Sequence, residues 1–406
     1  MSFTSTERTE DTTGTAHETA GGTAVGPSLG RPAGPVPGVP RRRIAYGGIT
    51  ALAVALMVIV PMVFGPFQVN QIGRFVSLAI VAVGIGLAWG RGGMLTMGQG
   101  AFFGIGAYIM AMHMLLSDAA LNGPDTLPSF MVLSGRSELP WFWIPFSSGG
   151  TTLVAIVALP ALVAGLLGLS LFKRKVKGAY FAILNQALVA AVAVLLIGQQ
   201  DTLGGSNGLS GFQSFMGLSL ADPLNQRFVY LLACGVLVAM LAVAYWLMRS
   251  RFGELLVATR DGEERVRFLG YDPAFVKTIA YMVAAVMASI GGALFVPIVG
   301  IISPTSIGVA PSIAFVIGVA VGGRSSLFGP VLGALVVAWA ESSLAQAFPS
   351  GWSYLQGLLL ILVIVLLPGG VASLGQRFRR RRAGGDESAA DQPKTIPNTI
   401  SKGAHA

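Results

Sequence analysis

Charge is what this chain has least of. Asp, Glu, Lys and Arg make up 11% of its 406 residues, against about a quarter in a soluble domain. Hydrophobic residues make up 53%, and the mean hydropathy is +0.70. That excludes an ordinary soluble globule and points to a protein that crosses a membrane many times. Cysteine is nearly absent: Cys234 stands alone inside an apolar run, so no intrachain disulfide can form. Three histidines and no Cys/His cluster give no metal-site signal. No GxxxxGKS/T run occurs, so the chain carries no phosphate-loop fingerprint for a nucleotide. The net charge of +9 does not indicate nucleic acid, because the basic residues sit at the ends of apolar runs, where membrane topology explains them.

Those apolar runs suit helices of about 20 residues rather than alternating barrel strands. Ten candidate spans lie near 44–65, 72–89, 94–116, 151–171, 178–197, 227–248, 277–299, 309–322, 328–347 and 354–371. The eighth is short and glycine-rich, which predicts a broken or re-entrant segment and a count of eight to ten. The fold class is therefore an all-α polytopic membrane protein. Residues 1–43 and 377–406 are polar tails with the composition of disorder, and the first has no apolar core of a signal peptide. Placing Arg41, Arg42 and Arg43 inside also puts Arg91, Lys173, Arg174, Lys175, Lys177, the 249–277 loop, Arg324 and Arg377–Arg382 inside. Only Arg74, Arg136 and Arg227 fall outside, so both termini are expected in the cytoplasm.

One stretch between spans is polar without being a tail. Residues 251–272, RFGELLVATRDGEERVRFLGYD, show helical periodicity, with Leu255, Ala258 or Thr259, Gly262, Val266 and Leu269 in one modest stripe. Asp261 with Arg265 and Glu263 with Arg267 are acid-before-base pairs four residues apart. Gly270 and then Pro273 mark the stop. Such a helix can lie passively on the membrane surface or dock a soluble partner.

Two long loops fall on the outer side, 117–150 and 198–226. Trp141, Phe142 and Trp143, between Pro140 and Pro145, suit an aromatic anchor at headgroup level or a contact surface for an external protein. The glycines of LGGSNGLSGF allow tight turns. Within the spans, Gln99, Asn185, Gln186, Glu341 and Gln356 are the polar residues able to line a path for a small polar solute. They are equally able to join helices to one another. Glu341 shows no basic or histidine partner in the sequence pattern, which is thin support for a proton-coupled secondary transporter. A passive channel would leave residues 251–272 without a role.

Six stretches then resemble permease subunits of the branched-chain amino acid class of ABC importers. They are GLAWGRGGMLTMGQGAFFGIGAYIMAM (86–112), KGAYFAILNQAL (177–188), LGGSNGLSGF (203–212), RDGEERVRFLGYDP (260–273), GGALFVPIVGIISP (291–304) and VAVGGRSSLFGPVLGAL (319–335). Within that class, LPSFMV followed by ELPWFW, the Asn185-Gln186 pair and RVRFLGYD are most similar to the second, urea-type permease subunit. Two positions depart from the pattern: Gln99 where a GHG motif often has histidine, and Ala314 where an acidic residue is expected.

The resemblance implies an importer permease for urea or short amides, with a branched-chain amino acid permease as the alternative. It implies no enzyme activity and no cofactor in this chain, ATP and magnesium being bound by two partner ATPase subunits. A second homologous permease and an external binding protein complete the implied assembly. The resemblance also marks Glu254, Arg260, Asp261, Glu264, Arg265, Arg267, Phe268 and Gly270 as the coupling stretch that meets an ATPase, with Val266, Phe268 and Leu269 as its anchors.

Overall fold

Long apolar runs can satisfy their backbone polar groups in a bilayer only as helices or closed barrels, and here they form helices. In the computed structural model the described residues are 42–347, apart from 122, 124–126 and 177, together with 351, 354, 355, 357, 358 and 361. Among them, eight helices are long and apolar enough to cross a membrane. They are α1 (Arg43–Val63), α2 (Pro66–Arg91), α3 (Gln99–Ala120), α4 (Gly149–Lys173), α5 (Ala179–Gly198) and α6 (Pro223–Arg249), then, after the polar stretch, α9 (Pro273–Val299) and the helix Pro304–Gly322. The polar stretch forms α7 (Arg251–Asp261) and α8 (Glu263–Phe268). The helix Pro304–Gly322 is broken at Gly308 into α10 (Pro304–Ile307) and α11 (Val309–Gly322), so the expected eighth span, 309–322, is itself continuous and the break lies just before it. The expected ninth span is α12 (Gly329–Ala347), whose described apolar part is shorter than the others. Most of the expected tenth span, and both tails apart from Arg42 and Arg43, lie outside the described residues.

Local chemistry sets the helix starts. Asp222 and Asp272 each accept a hydrogen bond from the second backbone N–H of the helix that follows, at 3.0 and 2.9 Å, and each precedes a proline. An acidic cap followed by proline satisfies free N–H groups and presets the backbone. The third span begins later than the apolar run suggests, at Gln99 rather than near 94. Gly93 takes a left-handed φ of 68°, which closes α2 and leaves 94–98 without helix.

Helix α9 is the centre of the bundle and packs on α3, α4 and α2. Its seam with α3 is backbone against backbone. A Cβ on Gly106 would meet the Ser289 carbonyl, and a Cβ on Gly292 would meet that of Phe103. Helices α11 and α12 are joined the same way, Gly322 lying on Gly329 and Gly333 on Gly318. Small residues of this kind let membrane helices approach closely. Ser289 Oγ also donates to the Ile156 carbonyl at 2.7 Å, fastening α9 to α4.

At the end of the bundle away from α7 and α8, strand β1 (Leu209–Ser210) pairs antiparallel with Ile301–Ile302. The pairing needs Gly208 at a positive φ of 73°, where a side chain would meet the Ile302 carbonyl. Asp118, at the end of α3, accepts from the backbone N–H groups of Gln213 and Ser214 at 2.7 and 3.0 Å. It holds the 198–226 loop down. The aromatic turn is divided: Trp141 is exposed, while Trp143 is fully buried. Trp143 packs near Phe130, so it is a core residue of the loop and not a headgroup anchor.

Candidate functional site

The stretch 251–272 is not one helix. Gly262, with φ −173° and ψ 86°, is extended, and it separates α7 from α8. The break alters which residues face inward. Leu256, Thr259 and Val266 are buried, Leu255 is half-buried, and Phe268 and Leu269 are exposed, Phe268 at 91%. Val266 is therefore an internal packing residue and not an anchor for a partner. Phe268 and Leu269 keep that capacity, and Tyr271 and Phe275 extend the same exposed apolar group. Gly270, at φ 84°, supplies the left-handed turn that leads into α9.

The break also changes the ion pairs. Asp261 pairs with Arg260 at 2.8 Å and not with Arg265, while Glu263 pairs with Lys277 of α9. The Arg260 guanidinium, donating to Asp261, holds that exposed carboxyl below the usual carboxylate range. Arg260 donates as well to the Gly90 carbonyl at 3.0 Å, tying α7 to the end of α2. Glu254, Glu264, Arg265 and Arg267 are exposed. Beside them lies a cavity of about 580 Å³, walled by residues 92–95, the α4–α5 corner, the α7–α8 junction and Lys277.

Three of the expected path residues converge where α3 begins, on α5 and the α10–α11 corner. A Cβ at Gly98 would lie 2.7 Å from Asn185 Oδ1, and one at Gly100 would strike Ser312. Asn185 is engaged on both sides: its Nδ2 donates to the Phe181 carbonyl at 2.8 Å, and Tyr281 donates to its Oδ1 at 2.5 Å. That is a helix-joining role. Gln186 reaches across to α11, its Nε2 donating to the Val309 carbonyl at 3.3 Å. Gln99 is buried with neither amide atom bonded to a described residue. Gln356 lies outside the described residues.

Glu341 is elsewhere, and it has the basic neighbour that the sequence pattern did not show. It lines a cavity of about 250 Å³ with Arg74 of α2. Ala314, the position that departs from the family pattern, forms part of the same wall. Arg74, read from the sequence as an outer flank, lies within α2 and not beyond its end. Nothing in the sequence marks this shared cavity, because the two residues belong to spans far apart in the chain. Tyr281 and Asp118 were missed for the same reason.

A family model described as "Branched-chain amino acid transport system / permease component" matches residues 68–366. The chain belongs to that family. It is a permease subunit of an ABC transporter of the branched-chain amino acid class, not an enzyme. Its relatives include the high-affinity branched-chain amino acid transport system permease protein LivM of Escherichia coli K12, 28% identical over 78% of this chain and 73% of that protein. BraD of Pseudomonas aeruginosa, named in the same words, is 23% identical over 73% of this chain and 91% of that protein. LivH of Escherichia coli K12 is 25% identical with the same coverage. No solved structure matches the permease. These relatives are named for branched-chain amino acids and none of the three for urea, so they support the amino acid alternative over the urea reading.

Proposed function

We propose that this permease imports branched-chain amino acids, driven by ATP hydrolysis on partner subunits that dock at α7 and α8. The names of relatives that span most of the chain carry the substrate reading. The exposed group Phe268, Leu269, Tyr271 and Phe275 supports the docking reading. A solvated loop has no reason to gather four large apolar side chains, whereas a helix-in-groove contact draws its binding from such anchors.

The orientation is the one the basic residues favour: Arg91, Lys173–Lys175, α7, α8 and Arg324 in the cytoplasm, with both termini. A second related permease and an external binding protein complete the assembly. Of the three features that resemble the urea-type subunit, the amide pair is the one that could contact a solute, and its Asn185 is occupied within the chain. Uptake of labelled leucine and of labelled urea, by cells with and without the gene, tests the substrate. Loss of leucine uptake alone is expected, and loss of urea uptake alone overturns the reading.

A further inference from the structure

Two charged side chains inside the membrane-spanning bundle face one cavity without pairing. Arg74 is the ninth residue of α2, about 12 Å along it, and Glu341 lies about 18 Å into α12 from its start at Gly329. The two helices run in opposite directions, so the charges lie at comparable depth in the half of the bundle away from α7 and α8. A hydrogen bond from Gln71 to Ser342, one turn and one residue away, joins α2 to α12 beside them. Among the described residues Arg74 and Glu341 make no ion pair, and Arg74 Nε is buried with no hydrogen-bond partner. Charges in a span are costly and mark a path or a ligand. A direct pair would have been the simplest way to relieve that cost.

The cavity between them has mixed walls. Leu78, Phe103, Phe295, Phe315 and Val337 are apolar, and Thr305 and Ser306 add hydroxyl groups. We propose that this cavity is a transit site for an amino acid, with Arg74 taking the carboxylate, Glu341 the ammonium and the apolar wall the side chain. A zwitterion carries its two charges one carbon apart, so a single small molecule bridges the cavity and neutralises both ends. The guanidinium fork suits a carboxylate. Urea, being neutral, would leave both charges uncompensated. Ala314 keeps the wall low where a longer side chain would enter the space. The inference deepens the amino acid reading and rests on it.

The test uses the assembled complex of permease, partner permease and ATPase subunits, with Cys234→Ser to remove the native thiol. Thr305→Cys, and separately Ala314→Cys, places a reporter thiol in the cavity. Its rate of alkylation is measured with and without leucine. Leucine at about ten times its Kd slows labelling roughly tenfold. Leucinamide, 4-methylpentanoate and urea, each lacking one or both charges, leave the rate unchanged. Arg74→Gln and Glu341→Gln abolish the protection, whereas Arg74→Lys and Glu341→Asp, which keep the charge, retain it. A complex that imports leucine while leucine protects neither thiol overturns the site and leaves the transport reading intact. So does protection that survives both neutral substitutions. A complex that imports urea and not leucine overturns the substrate reading first, and the site with it.

Discussion

Phe268→Ala separates docking from lipid contact at the end of the bundle that carries α7 and α8. The residue is 91% exposed, so truncating it removes almost no packing within the permease, and its stability should change by no more than about 0.5 kcal/mol. Complete burial of a phenylalanine side chain is worth about 1.5–3 kcal/mol, and nearly all of that is still to be gained when a partner covers it. A central aromatic anchor costs about 2 kcal/mol or more on removal, which is roughly a 30-fold rise in Kd. The assay is titration of the ATPase subunit onto purified permease, with thermal unfolding of the permease followed alongside. A large loss of affinity at unchanged unfolding temperature is expected. If Phe268 dips into lipid instead, membrane partition changes and the ATPase affinity does not. Wild-type affinity would refute the docking assignment for this residue.

Other outcomes follow from the same geometry. Leu256→Ala, at a fully buried position in α7, should lower permease stability by about 2–5 kcal/mol, visible as earlier thermal unfolding; an unchanged transition would mean that α7 is not packed as described. Single cysteines at Ser148 and Glu263, with Cys234 replaced, should react with an impermeant reagent in intact cells at 148 only, and the reverse pattern would invert the orientation. Gln186→Leu should keep assembly intact and leave leucine uptake within about twofold, since a long hydrogen bond is worth about 0.5 kcal/mol. A selective loss of urea uptake in that variant would restore the urea reading.

The spans were legible because a run of apolar residues and its basic flanks are local signals. The helix break at Gly262 was not. Glycine is tolerated inside a helical pattern at about 1 kcal/mol, and the apolar stripe continues through it at the right spacing. The consequence was practical: Val266 looked like an anchor and is buried, while Phe268 is exposed. Trp141 and Trp143 illustrate the same limit, since two like residues two positions apart ended on opposite sides of a fold that only tertiary packing decides. The basic neighbour of Glu341 was invisible for a different reason. Arg74 sits where a flanking arginine is common, and sequence spacing says nothing about which helix lies opposite.

The two glycine seams have a mechanical meaning. Where α3 meets α9, and where α11 meets α12, backbone lies on backbone at the glycines, and the Phe102–Tyr281 and Phe103–Phe295 ring contacts brace the first joint further. Each pair behaves as a strut. The cavity that holds Arg74 and Glu341 is walled by Phe103 and Phe295 from one strut and by Ala314, Phe315, Val337 and Glu341 from the other. With Arg74 and Leu78 of α2 as the remaining wall, a change in its volume would have to come from one close-packed pair shifting against the other, because the glycine contacts leave neither pair room to compress.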